Sequence, residues 1–188
     1  MVLTPSTMLP IGTPLASFRL PDPSGRLVDS AELAGRPLLV AFLCNHCPYV
    51  KHIADGFAAF AREYAARELG IVAINANDAD AYPADAPAKM AEESKQRGYV
   101  FPYLYDEAQS VALAFRAACT PEFYLFDAAG RLAYRGQFDG ARPGNAVPVT
   151  GADLRAAADA VLAGRAPSGD QRPSVGCNIK WRPGVSPL

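Results

Sequence analysis

Residues 38–50 read Leu38-Leu39-Val40-Ala41-Phe42-Leu43-Cys44-Asn45-His46-Cys47-Pro48-Tyr49-Val50. The six apolar residues that follow Gly35-Arg36-Pro37 have the length and content of a strand buried on both faces. Pro48 then opens a segment in which Ile53, Phe57, Phe60 and Tyr64 recur at helical spacing, with Asp55, Arg62, Glu63 and Arg67 on the rest of the wheel. This predicts an amphipathic helix ending near Gly70, which would be its C-cap. Ile71-Val72-Ala73-Ile74 is a second buried strand and runs into the polar cluster Asn75 to Asp80. Strand, helix and strand make one βαβ unit, so the two strands are expected to be parallel with a right-handed crossover. Two cysteines sit at the junction.

Outward from this unit the pattern stays mixed. Ala16–Leu20 and Arg26–Val28 read as a small peripheral hairpin around Asp22-Pro23-Ser24-Gly25. Ala86–Arg97 reads as a charged surface helix, Tyr103–Tyr105 as a short strand and Ala108–Phe115 as another helix. Glu122–Phe126, the turn Asp127-Ala128-Ala129-Gly130 and Arg131–Gln137 form a hairpin. A last helix is expected after Thr150, which with Asp153 resembles a capping box and would present Leu154, Ala158, Val161 and Leu162 to the core. The tail from Arg165 is rich in Pro and Gly, yet Cys177, Ile179 and Trp181 predict that it docks on the body. The expectation is a single α/β domain over 1–188, with its core over about 12–164 and a docked tail over 165–188.

Composition excludes several functions. Half of the 188 residues are apolar and the formal charge is −1, so a sizeable core is expected but no basic face for nucleic acid and no polybasic membrane anchor. No apolar run approaches the ~18 residues of a membrane span, and Met1 to Gly12 lacks the pattern of a signal peptide. A cytoplasmic protein is therefore expected. In a reducing compartment its four cysteines would serve redox or metal chemistry in place of structural disulfides.

The spacing Cys44-Asn45-His46-Cys47 supplies a C-x-x-C pair. Pro48 belongs at the first helical position, which makes Cys47 the N-cap and turns the free N–H groups and the dipole of the helix toward its sulfur. Such a thiol should ionise near neutral pH and act as nucleophile, with Cys44 at the strand end as its partner. His46, if protonated, would lower the Cys47 thiol further, and Lys51 could assist. A rival reading groups Cys44, His46, Cys47, His52 and Cys177 as a copper or zinc site, but adjacent His46 and Cys47 do not match structural zinc spacing. No metal or other cofactor is expected.

In the order of its elements the chain resembles the thioredoxin superfamily, specifically its peroxiredoxin-like, AhpC/TSA-related branch, over about Gly12 to Gly164. Gly12-Thr13-Pro14, Phe18-Arg19-Leu20, Gly25 and Leu33-Ala34-Gly35 look like the lead-in of that branch. Cys47-Pro48-Tyr49-Val50 is similar to the glutaredoxin Cys-Pro-Tyr-Cys with Val50 in place of the last cysteine. Ala118-Cys119-Thr120-Pro121-Glu122-Phe123 looks like the Thr-Pro loop of the family. The resemblance implies a thioredoxin fold, a central mixed sheet flanked by helices, with an N-terminal hairpin extension and an inserted helix. It also implies that Cys47 attacks, that Thr120-Pro121 is a cis bond, and that Thr120 and Pro121 position substrate beside Cys47. Cys119 and Cys177 are further candidates for the resolving thiol, or else buried apolar residues. The chain departs from peroxiredoxins at two positions. Cys44 stands where they carry a Thr or Ser, and Pro121 stands where they carry an Arg.

Three functions follow as expectations. The first is a thiol–disulfide oxidoreductase in which Cys47 attacks a protein or small-molecule disulfide or an oxidised thiol and is released by Cys44, with a thiol reductant completing the cycle. The second is a thiol peroxidase acting on hydroperoxides as an antioxidant, with Cys47 resolved by Cys44, Cys119 or Cys177. The third is the metal-binding module.

Overall fold

The structure is a computed structural model and describes residues 3–185; Met1, Val2 and 186–188, which the sequence reading includes in its domain, lie outside the described residues. In chain order the elements are β1 (Leu3–Pro5), β2 (Arg19–Pro21), β3 (Leu27–Asp29), β4 (Leu38–Phe42), α1 (Pro48–Ala65), β5 (Gly70–Asn75), α2 (Pro87–Arg97) and β6 (Tyr103–Tyr105). They continue with α3 (Ser110–Ala114), β7 (Cys119–Thr120), β8 (Glu122–Phe126), β9 (Leu132–Gly136), α4 (Ala152–Leu162) and β10 (Val175–Asn178).

The βαβ unit lies at the centre. β4, α1 and β5 form it, and β4 pairs with β5 in parallel from Leu38 opposite Gly70 to Phe42 opposite Ile74. β6 extends the parallel side, β8 and β9 extend the other side antiparallel, and the five-stranded order is β6-β5-β4-β8-β9. This is the mixed sheet of a thioredoxin fold, with the hairpin β2–β3 beside it. Period-two alternation explains why β4 is apolar throughout. Leu39, Ala41 and Leu43 enter the core under α1 and α4, whereas Leu38, Val40 and Phe42 enter a second core with Phe115, Tyr124 and Ile179. Along α1, Ile53, Phe57, Phe60 and Tyr64 are buried, the face that the periodicity marked, and Val50 is buried one turn before them.

Two local expectations are corrected. Helix α1 ends at Ala65 with Ala66 as C-cap, and Glu68 instead of Gly70 takes the left-handed conformation, φ 67°. Gly70 opens β5, where a Cβ would stand in tight contact, 3.2 Å, with the carbonyl oxygen of Pro37, so glycine there eases the approach of the chain before β4 instead of ending the helix. The capping box of Thr150 and Asp153 does not form either, because Gly151 is the N-cap of α4 and Asp153 accepts a hydrogen bond from Gln137 Nε2 at 2.5 Å. The buried Asp139 carboxylate takes the Thr150 and Gly151 amides instead.

A second sheet, β1-β10-β7, carries the tail back across the molecule. β10 lies between the two, with Cys177 opposite Leu3 on one side and opposite Thr120 on the other. Beyond it, Lys180 donates its amide to Asn77 Oδ1, and Gln109 binds both the Lys180 carbonyl and the Arg182 amide. Trp181 packs half-buried against the second core. No helix among the described residues is long and apolar enough to cross a membrane.

Candidate active site

The site starts where β4 stops. Four residues, Leu43 to His46, turn the chain from strand to helix, and Cys47 is the N-cap of α1 with extended backbone and Pro48 behind it. The turn is pinned from below by Asp85, whose fully buried carboxylate accepts the Asn45 amide at 2.7 Å, His46 Nδ1 at 2.5 Å and Asn77 Nδ2 at 2.8 Å. Asn75 Nδ2 donates to the Asp85 carbonyl, and Tyr103 donates its hydroxyl to Asn45 Oδ1. Burial acts to raise the Asp85 carboxyl, but the hydrogen bonds from His46, Asn77 and Asn45 outweigh it and hold the group below the usual carboxylate range.

Thr120-Pro121 is a cis peptide, and it brings Thr120 between the two cysteines. Thr120 Oγ1 lies 3.2 Å from Cys44 Sγ, and its carbonyl oxygen lies 3.3 Å from Cys47 Sγ. The nearest sulfur to Cys47 comes from the tail: Cys177 Sγ stands 2.7 Å away, and none of the four cysteines is in a disulfide.

These contacts separate the thiols electrostatically. Cys47 is lowered to about 5, first by the hydrogen bond from the Cys44 thiol, then, against the cost of burial, by the Cys177 thiol and the Val50 and Cys177 amides. The Val50 amide contributes although it stops short of a full capping bond. Cys44 is pushed well above its ordinary value, by burial first, by the neighbouring Cys47 and by the Asp85 charge. Cys177 is pushed up to about 12, by burial and then by Cys47. One anion therefore sits among two proton-bearing thiols.

His46 does something other than its position suggests. Its ring pairs with Asp85 and stacks on Tyr82 at 5.3 Å, so it fixes the turn instead of facing Cys47, and Lys51 lies in the first turn with an exposed side chain. Cys119 points its thiol toward the Pro121 carbonyl and the Glu122 carboxyl, and burial drives it far above the ordinary thiol range. Among the described residues, the side chains grouped closely enough to hold a metal are Cys44, His46 and Asp85, within 4.8 Å of one another. Cys47, His52 and Cys177 of the metal reading are not in that group, and the Asp85 oxygens are already committed to His46, Asn77 and the Asn45 amide. Asp85 itself had no mark in the sequence, since nothing in Pro83-Ala84-Asp85 shows that it folds back beneath His46, 39 residues earlier.

The likeness to known proteins agrees with this architecture. A crystal structure of a hypothetical protein from Sinorhizobium meliloti is 53% identical, with a TM-score of 0.94 over 96% of this chain and 100% of that one. A conserved protein from Geobacillus kaustophilus is 44% identical, with a TM-score of 0.96 over 98% of this chain and 99% of that one. A thiol:disulfide interchange protein of the thioredoxin family from Chlorobium tepidum is 20% identical, with a TM-score of 0.63 over 80% of this chain and 97% of that one, and shares the fold. No curated protein matches. The AhpC/TSA family model matches residues 11–135, which run from the lead-in into β9 and include the cysteine turn and the Thr-Pro loop, so the chain belongs to the AhpC/TSA family of the thioredoxin superfamily.

Proposed function

We propose that the protein is a thiol–disulfide oxidoreductase in which Cys47 is the attacking thiolate. The observation that carries this reading is the placement of Cys47, the N-cap of α1, with its sulfur against the Thr120 carbonyl oxygen and the Cys177 thiol; the neighbouring Cys44 thiol favours its anion. A thiolate of that kind displaces one sulfur of a disulfide and forms a mixed disulfide with the other. Cys44 supplies the hydrogen bond that holds the anion, and a second cysteine beside Cys47 releases the product. Thr120 and Pro121 position the incoming sulfur, while His46 and Asp85 hold the turn. Disulfides of proteins or small molecules, or oxidised thiols, are the substrates, and a thiol reductant restores the enzyme. The protein works as one domain over 1–188 in the cytoplasm, a setting that cell fractionation tests.

Reduction of insulin and of a small symmetrical disulfide by reduced protein tests the chemistry. Wild type should reduce the small disulfide measurably and Cys47→Ser should not. Equal rates in the two would remove Cys47 from the reaction.

A further inference from the structure

Strand β10 does more than tie down the tail. β7 is only two residues long and ends at the cis-Pro121 turn, so its edge beside Cys47 would otherwise offer unpaired backbone groups. β10 fills that edge antiparallel, with Cys177 directly opposite Thr120, the residue whose carbonyl oxygen touches Cys47 Sγ. An extended peptide delivering a cysteine to Cys47 by strand addition would need this same edge. In this chain Cys177 Sγ holds that place, 2.7 Å from Cys47 Sγ. The fit is close. A Cβ on Gly176 would stand 2.1 Å from the Thr120 carbonyl oxygen, so only glycine lets the strand approach β7 this closely.

Resting on the reading of Cys47 as attacking thiolate, we infer that β10 is a built-in substrate strand and that Cys177, rather than Cys44, is the thiol that forms the disulfide with Cys47. The cycle balances with an external disulfide as oxidant. The Cys47 thiolate attacks one sulfur of the external disulfide, forming the mixed disulfide and releasing the other half as a thiolate that takes up a proton. Cys177 then loses its proton and attacks Cys47 Sγ. The Cys47–Cys177 bond forms, the mixed disulfide breaks, and the second half departs as a thiol. Two protein thiols have been oxidised and one external disulfide reduced; an external dithiol reverses the change. The order is enforced locally, because part of what keeps Cys177 protonated is the hydrogen bond and charge of Cys47, which vanish once Cys47 is in the mixed disulfide. Cys44, bonded to Thr120 Oγ1 at the strand end, remains the proton donor.

The same strand limits access. Cys47 is 0% exposed, Cys177 1% and Cys44 2% while β10 is paired on both edges, so an external disulfide reaches Cys47 when β10 lifts. Local opening of this kind precedes each turnover.

The test uses the full chain. Reduced protein is oxidised with a small symmetrical disulfide, blocked in acid with N-ethylmaleimide and digested without reductant. Wild type and Cys44→Ser should both yield a peptide pair linked through Cys47 and Cys177, and Cys47→Ser should not. A Cys44–Cys47 link in wild type with Cys177 carrying the maleimide would overturn the inference while leaving Cys47 as the nucleophile. Retention of disulfide reduction by Cys47→Ser, with no linkage in any chain, would instead sink the reading beneath it. Gly176→Ala, which displaces β10 from β7, should raise the alkylation rate of reduced Cys47 about tenfold, the ratio set by ~1.4 kcal/mol of easier opening. An unchanged rate in the folded variant would show that β10 does not cover the thiol.

Discussion

The chemistry of single residues here follows from who shares a proton with whom. Cys47 is lowered to about 5, against an unfolded value of ~8.5. A group lowered on folding contributes stability in full above its unfolded value and loses it as the pH falls through its folded one. The reduced protein should therefore lose this contribution between ~8.5 and 5, and the rate of Cys47 alkylation against pH should show its midpoint near 5. Cys44→Ala removes the first cause of the lowering and should move that midpoint upward; a stationary midpoint would contradict the role given to Cys44. Glu122 runs in the opposite sense. Burial raises its carboxyl to about 7 although the Ala118 and Cys119 amides donate to it. The folded state keeps a proton that the unfolded state releases, so stability falls as the pH rises from ~4.3 to 7. Glu122→Gln should melt progressively above wild type over that interval, and a melting difference independent of pH would rule this out. Cys47 was legible as the N-cap because Pro48 fixes the helix start by its own geometry. The pairing of His46 with Asp85 was not, since it depends on the Pro83–Asp85 turn folding back under β4, and no local pattern records such a return.

At the scale of elements, α1 is the piece on which the site depends, because its first turn holds Cys47 and its buried face holds the core. Phe57 is the centre of that face, with the rings of Phe60, Phe101, Phe123 and Phe138 all within 6.0 Å. Removing such a ring typically costs ~3–5 kcal/mol through lost transfer energy and the cavity left behind. Phe57→Ala should lower the denaturant midpoint accordingly, whereas Lys51→Ala on the exposed side should leave it within experimental scatter. A loss well under 1 kcal/mol, a large-to-small effect seen only where a site collapses, would show that the aromatic cluster rearranges freely. Periodicity made α1, β4 and β5 legible because burial on a given face repeats with the geometry of the element. The end of α1 was misread for the opposite reason. Gly70 stands in close contact with the carbonyl of Pro37 just before β4, a contact of tertiary origin, and glycine looks the same in either role.

For the whole molecule, family membership and local chemistry point to different rates. The scaffold is that of the AhpC/TSA family, yet among the described residues the groups bonded to Cys47 are two thiols, backbone amides and a carbonyl, with no guanidinium. Loss of one donor to a developing oxyanion commonly costs ~2.7–4 kcal/mol, a factor of about 10²–10³ in rate. Hydrogen peroxide should therefore be consumed orders of magnitude more slowly than by dedicated peroxidases, and stopped-flow oxidation at peroxidase speed would refute this. The mixed sheet could be anticipated because βαβ handedness and hairpin turns are local rules. The second sheet could not, because it joins Leu3, Thr120 and Cys177 from the two ends and the middle of the chain. That long-range sheet has a consequence for how the protein is made. β10 is synthesised after every other described element, so the ribosome presents a chain whose β4, α1 and cis-Pro turn can assemble while Cys47 still lacks its cover. During that interval the thiolate is open to whatever oxidant is at hand, and a nascent chain stalled before residue 175 should stay linked to an immobilised disulfide from which the finished protein is released by Cys177.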